Sequence, residues 1–292
     1  MVQLEEATKS AGTPLASREW ALVALLAVAF APGVLAMADV WTHVDYQSHG
    51  FLVPVVSVWL AMRQRYALRR LPVEPAGWGL AVLAAAFVAY FAGIIGGSVS
   101  LQGAALVAAI AGAVLFARGT AWLRRLALPI AFLLFMVPVP PGWITPLILQ
   151  LQLFVSDVSL RILNGLGILA SREGNVLLLP SGESLFVAEA CSGVTSIVTL
   201  APLGVLLAVL TLRGPVARVL LVAAVVPLAM AGNLVRVLAT VFAAMRVGAQ
   251  SATDGPPHEM LGLLTYLVAV SLLLALSALL RRVEPGGSAA AA

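Results

Sequence analysis

Charge is scarce in this sequence, and cysteine is almost absent. Of the 292 residues only 10% are Asp, Glu, Lys or Arg, whereas soluble domains average about 25%. This scarcity excludes an ordinary soluble enzyme, a disordered chain and a nucleic-acid binder with a basic face. The single cysteine, Cys191, excludes an internal disulfide and a zinc site built from cysteines.

Long apolar runs take the place of the missing charge, since 61% of the residues are hydrophobic. A bilayer core about 30 Å thick needs roughly 20 apolar residues in a helix. Counting 75–117 as two spans that turn at Gly96-Gly97-Ser98, we predict an all-α polytopic membrane protein with about eight transmembrane helices. The spans lie near residues 20–38, 46–62 (the weakest), 75–95, 99–117, 122–137, 190–212, 219–235 and 260–280.

Basic residues in short loops predict the orientation, because cytoplasmic loops are enriched in Lys and Arg. With a cytoplasmic N-terminus, only four of the 17 basic residues fall on the outer side. Those four are Arg161, Arg172, Arg236 and Arg246. Eight spans also return the C-terminus to the cytoplasm beside Arg281-Arg282, so the charge bias and the span count agree.

The largest piece without a predicted span is residues 138–189, on the outer side. Its first part, 143–169, mixes polar residues with leucines and isoleucines and predicts an amphipathic helix on the membrane surface. Two β-prone runs flank Pro180-Ser181-Gly182-Glu183 and predict a small hairpin over 175–188. We expect one integral membrane domain over 18–282 and disordered cytoplasmic tails at 1–17 and 283–292.

Arg236 is a functional candidate, because ionisable residues at membrane depth are rare. It lies 21 residues after Pro215, or about 32 Å along a helix, near the outer interface. Asn233 and Thr240 share its helical face. The alternative is an arginine that snorkels at a helix end.

Cys191 stands at the start of the sixth predicted span and His258 just before the eighth, so both lie at the same outer depth as Arg236. A helix start such as the one predicted at Ser192-Gly193 lowers the pKa of a nearby thiol, whereas Glu189 would oppose that shift if it lies close. A neutral histidine can act as a base, and arginine can hold an oxyanion. The three side chains are therefore sufficient for acyl transfer. The alternatives are a small buried cysteine and an interfacial histidine.

Four segments in order resemble the exosortase/archaeosortase family of membrane cysteine transpeptidases. These segments are Asp45-Tyr46-Gln47-Ser48-His49-Gly50-Phe51-Leu52-Val53-Pro54, Glu189-Ala190-Cys191-Ser192-Gly193, Asn233-Leu234-Val235-Arg236-Val237 and Pro257-His258-Glu259-Met260-Leu261-Gly262. The resemblance covers about residues 20–282.

The resemblance implies a multi-pass enzyme of a bacterial or archaeal cytoplasmic membrane, with its active site on the outer face. Its partners would be exported proteins that end in a sorting signal (a short motif such as Pro-Glu-Pro, a transmembrane helix and a basic tail), with exopolysaccharide machinery as a further candidate. The enzyme would cleave the signal through a thioester and would need no cofactor or metal.

The roles follow from the motif match. Cys191 would be the nucleophile, His258 the base and later the acid, and Arg236 the oxyanion stabiliser. Substrate binding would involve Asn233, His49, Ser192 and Gly193. The predicted hairpin lies beside the nucleophile, and we hypothesise that it pairs with an extended peptide.

Three other classes of protein fit parts of the sequence. A transporter would place polar groups near the midplane and often shows an inverted repeat, whereas these polar residues cluster at the outer edge and no repeat is visible. A zinc protease would need His-Glu-x-x-His, and His258-Glu259 lacks the second histidine. A non-enzymatic subunit of polysaccharide or protein export stays open.

Overall fold

A computed structural model describes residues 17–180, 182–186, 193–253 and 256–284, with the backbone alone described for 256–259 and for Phe186. The described chain forms two compact units that meet in sequence at Pro140 and Pro141. Nearly all of the two predicted tails lies outside the described residues, so their disorder stays a prediction. The single domain predicted over 18–282 likewise stays a prediction.

All regular structure between residues 17 and 140 of the first unit is helical. Its elements are α1 (Ser17–His43), a 3-10 helix (Asp45–Phe51), α2 (Leu52–Arg63), α3 (Arg65–Leu68), α4 (Gly79–Ile95), α5 (Val99–Arg118), α6 (Thr120–Phe132) and a second 3-10 helix (Leu133–Met136). The predicted turn between α4 and α5 is confirmed: Ser98 is the N-cap of α5, and its hydroxyl accepts a hydrogen bond from the Leu101 N–H at 3.2 Å.

Aromatic packing holds α1 against α4 and α5. The Phe30 and Tyr90 ring centroids are 4.4 Å apart, and both side chains are buried with Leu83 and Ala105. The Tyr90 hydroxyl accepts a hydrogen bond from the Gly33 N–H at 3.0 Å. A Cβ atom at Gly33 would lie 2.8 Å from the Tyr90 ring, so only glycine fits there without a shift.

A buried ion pair joins the start of α1 to the end of α5. Arg118 Nε and Nη2 lie 2.6 Å and 2.7 Å from the two carboxylate oxygens of Glu19. The guanidinium also lies over the Trp122 ring, 4.7 Å from its centroid. Both charged side chains are buried, so each one compensates the other's loss of water.

The second unit combines helices with a small sheet. Its elements are α7 (Pro141–Gly165), β1 (Ser171–Glu173), β2 (Val176–Leu178), β3 (Ser184–Phe186), α8 (Val194–Thr211), α9 (Pro215–Val247), α10 (Ala249–Thr253) and α11 (Pro256–Val283). Pro141 stands at the first position of α7, where the missing N–H costs nothing.

The predicted hairpin is confirmed, with one additional strand. β2 and β3 are antiparallel, with Leu177 opposite Leu185, and the unpredicted β1 pairs with the other edge of β2. In the turn, the Gly182 N–H donates to the Leu179 carbonyl and the Leu179 N–H donates to the Glu183 carbonyl. Gly182 has a φ of 85°, which suits the left-handed position of a three-residue loop.

Helix α9 takes part in two hydrophobic clusters of the second unit. Its N-terminal half buries Leu221 and Val225 against α8 and against Leu273 of α11. Its C-terminal half buries Val237 and Val241 against α7, the sheet and α10. The sheet is therefore attached to the half of α9 that follows Arg236.

Six helices in the described part of the chain are long and apolar enough to cross a membrane: α1, α5, α7, α8, α9 and residues 260–283 of α11. The polytopic all-α class is confirmed, whereas the count of eight is not. Three predicted spans form the shorter helices α2, α4 and α6. A 3-10 helix precedes α2, and α6 ends before Pro138. Helix α7 is predicted to lie on the membrane surface, but its length and composition would also allow it to cross the membrane. Its surface position therefore stays a prediction.

Removing one partner of the buried pair is expected to destabilise the protein. Glu19→Leu leaves a buried guanidinium without its carboxylate, and the free energy of unfolding should fall by about 3–5 kcal/mol. The double variant Glu19→Leu/Arg118→Leu should recover much of this loss, as measured by unfolding of the purified protein in detergent.

The control for this prediction is Asp39→Asn, since the Asp39–His43 pair is about three-quarters exposed and should contribute about 1 kcal/mol or less. Additive losses from the two leucine substitutions would contradict the prediction.

Candidate active site

The polar face predicted on α9 is confirmed by its burial. Asn233 and Thr240 are buried, Arg236 is partly buried, and the Thr240 hydroxyl donates to the Arg236 carbonyl at 3.0 Å. The helix continues for 11 residues after Arg236, to Val247. The snorkelling alternative requires an arginine at a helix end, and Arg236 does not lie at one.

Gly193 brings the start of α8 onto this face. It is the N-cap residue of α8, with φ 86° and ψ −7°, a left-handed conformation that strongly favours glycine. A Cβ atom here would lie 3.3 Å from Met230 Sδ and 3.4 Å from Asn233 Cβ and Nδ2. The residue after the Cys191-Ser192 pair thus contacts the polar turn of α9.

Gly262 brings α11 onto the same turn of α9. A Cβ atom at Gly262 would lie 2.9 Å from Arg236 Cζ, 3.0 Å from Nη2 and 3.2 Å from Nη1. The Arg236 guanidinium therefore packs directly on the backbone of α11. Gly262 lies four residues after His258, one helical turn away on the same face.

Several predicted site residues fall outside what the structure describes. Cys191 and Ser192 lie outside the described residues, and the side chain of His258 does too, although its backbone belongs to α11. Their assigned roles stay predictions.

The hairpin is attached to the far end of α9 through Glu183. The Glu183 carboxylate accepts a hydrogen bond from the Ala249 N–H at 3.0 Å, just after α9 ends at Val247. Leu177, Leu179 and Leu185 are buried in the same cluster as Val237 and Val241. Side-chain packing and this hydrogen bond together position the strands next to the α9 turn that follows Arg236.

His49 belongs to the first unit, in the 3-10 helix that precedes α2. Its Nε2 lies 3.1 Å from the Phe135 carbonyl oxygen; because a carbonyl only accepts, Nε2 carries the proton. Burial lowers the pKa of His49 below its usual 6.5, and hydrogen bonds with the Phe135 and Tyr46 backbone oppose this shift. The predicted role of His49 in substrate binding stays a prediction.

Among the described residues no group of three or more His, Cys, Asp or Glu side chains could hold a metal ion. The arrangement around Arg236 instead offers N–H donors, which can bind a carbonyl oxygen or an oxyanion.

Two contacts of this site were missed by the reasoning from sequence. Gly262 belongs to a matched motif but received no role, and Glu183 was assigned only to a turn. A glycine one turn after His258, within an apolar helix, is a detectable signal for close helix approach. The hydrogen bond of Glu183 has no comparable signal, because its partner is a backbone N–H 66 residues away.

Fold and site together define a helical multi-pass membrane protein with an arginine-centred polar site. The sequence matches the family described as Transmembrane exosortase (Exosortase_EpsH) over residues 41–275, which is more than half of the chain. The chain belongs to the transmembrane exosortase family. Curated proteins and solved structures provide no match.

Glu183→Ala is expected to loosen the hairpin, because it leaves the Ala249 N–H without its acceptor. The loss should be about 1–3 kcal/mol, measured as faster amide hydrogen exchange over 176–186. Glu183→Gln keeps a neutral acceptor and should lose less.

The control for the hairpin prediction is Glu173→Ala, an exposed residue of β1, which should leave exchange unchanged. Equal exchange in the wild-type chain and Glu183→Ala would contradict the assigned role of this hydrogen bond.

His49 should make stability depend on pH. Because its folded-state pKa is lowered, the unfolded chain binds the proton more readily, so stability is full above 6.5 and decreases as pH falls through 6.5 towards the lowered value. His49→Gln should remove this component from the melting temperature measured between pH 5 and 8. The exposed His43 provides the control, His43→Gln, and an unchanged slope in His49→Gln would contradict the prediction.

Proposed function

We propose that this exosortase is a membrane cysteine peptidase or transpeptidase that cleaves C-terminal sorting signals from exported proteins. Cys191 is the nucleophile, His258 the general base and acid, and Arg236 the oxyanion stabiliser. The observation that carries the proposal is the convergence of Gly193 and Gly262 on the single turn of α9 that holds Asn233 and Arg236.

Chain connectivity supports bringing the three groups together. Two peptide units separate Cys191 from Gly193, so covalent geometry limits the distance between their Cα atoms to about 7 Å. His258 precedes Gly262 by one turn of α11. The proposed nucleophile and the proposed base are therefore each close in sequence to a glycine that contacts the Arg236 turn.

The reaction proceeds in two acyl transfers. His258 takes the Cys191 proton, and the thiolate attacks the carbonyl carbon of the scissile peptide bond. Arg236 donates hydrogen bonds to the oxyanion that forms. His258 then protonates the leaving amine, the C–N bond breaks, and a thioester joins the substrate to Cys191. An acceptor amine or water attacks the thioester and releases the thiol.

The sheet supplies a recognition surface for the peptide. Among the described strands the order is β1-β2-β3, so β3 pairs with β2 alone and keeps one free edge. An extended substrate segment adds to such an edge through main-chain hydrogen bonds. The site faces the outer side of the cytoplasmic membrane, where the sorting motif of an exported protein emerges, while the basic tail of the signal stays in the cytoplasm.

Cys191→Ala should abolish processing, because Cys191 is the only thiol in the chain. The measurement is accumulation, in cells, of uncleaved precursor from a reporter that the wild-type chain processes. Arg236→Gln should reduce processing by at least 100-fold, as loss of an oxyanion donor does.

Arg246→Gln serves as the matched control, since Arg246 is an exposed arginine near the end of the same helix. Normal processing by Cys191→Ala at normal membrane levels would exclude the cysteine mechanism.

A further inference from the structure

The contact between Gly262 and Arg236 has a definite geometry. The three distances from the Cβ position of Gly262 to the guanidinium atoms lie between 2.9 and 3.2 Å, and the shortest is to Cζ. A carbon placed at the edge of a planar guanidinium would lie closer to a nitrogen than to Cζ. The backbone of α11 at Gly262 therefore covers the flat face of the guanidinium.

We propose that Gly262 is a positioning residue that holds the Arg236 guanidinium against the backbone of α11. This inference rests on the proposed function, in which Arg236 stabilises the oxyanion. Contact on the flat face directs the N–H bonds of the guanidinium along the plane of the group, which is the direction from which such donors bind a carbonyl oxygen or an oxyanion. Glycine is required at 262 because any side chain occupies the space of the guanidinium.

A second glycine in the same pair of helices separates this role from ordinary helix packing. A Cβ atom at Gly232 of α9 would lie 3.4 Å from the Thr265 carbonyl oxygen and 3.7 Å from Ala269 Cβ, which are ordinary van der Waals distances. Within 4 Å of that position, the described side chains and backbone of α11 present a carbonyl oxygen and a methyl group. Only Gly262 of these two contacts a functional side chain.

The added methyl group in Gly262→Ala should move the guanidinium rather than unfold the protein. The displaced atoms are the end of a flexible side chain, and a shift of about 0.5 Å restores ordinary contact distances. Alanine also favours a helix interior over glycine. Catalytic donors tolerate such a shift poorly, because a misplacement of about 1 Å can cost 100-fold in rate.

The experiment compares Gly262→Ala with the matched control Gly232→Ala in the full-length protein. Each variant is reconstituted in lipid vesicles with the purified reporter that the wild-type chain processes. We expect Gly262→Ala to lower kcat by about 10-fold with unchanged KM and an unchanged melting temperature, the pattern of an interaction made in the transition state. Gly232→Ala should leave all three quantities unchanged.

A double-variant cycle tests whether Gly262 acts through Arg236. If it does, Gly262→Ala should cost little or nothing further in an Arg236→Lys background, because the planar group is already absent. Additive losses would overturn the proposal. Where Arg236→Lys falls below detection, the single variant decides: a higher KM with unchanged kcat, or a lowered melting temperature, overturns it.

The Cys191→Ala result separates this inference from the proposed function. Processing by Cys191→Ala would overturn the proposed function. An inactive Cys191→Ala together with full activity of Gly262→Ala would leave the enzyme mechanism in place and overturn only the role of Gly262.

Discussion

The length of α9 is the constraint on which the second unit depends. Its 33 residues extend for about 50 Å, whereas the hydrocarbon core of a bilayer is about 30 Å thick. One continuous helix of this length extends beyond the apolar core at one end or at both. Along its length α9 packs against two different sets of partners. Helices α8 and α11 contact its first half, and α7 and the small sheet contact its second half.

The candidate site lies where these two sets of partners meet. Lipid tails are as apolar as leucine, so helices in a membrane are held together by close packing more than by the hydrophobic effect. Glycines at 193 and 262 permit that close packing on α9. At Gly193 and Gly262 the neighbours are polar side chains, so the same steric fit that joins the helices also positions Asn233 and Arg236.

The first unit is stabilised by other means. Aromatic rings pack between α1 and α4, and a buried carboxylate–guanidinium pair joins α1 to α5. The family match extends over parts of both units, which agrees with the matched motifs at 45–54 in the first unit and at 189–193, 233–237 and 257–262 in the second. His49 therefore belongs to the family region, although its hydrogen bond is made within its own unit.

The sequence by itself determined the membrane class, most helices, the hairpin turn and the polar face of α9. Each of these depends on local composition or on the 3.6-residue and two-residue periods of the backbone. Only the tertiary structure decided that α2, α4 and α6 are short, that β1 joins the sheet, and that Gly262 covers the Arg236 guanidinium. The reason is physical. A contact between residues 26 positions apart depends on how two helices cross, and glycine has no side chain whose hydropathy could indicate that crossing.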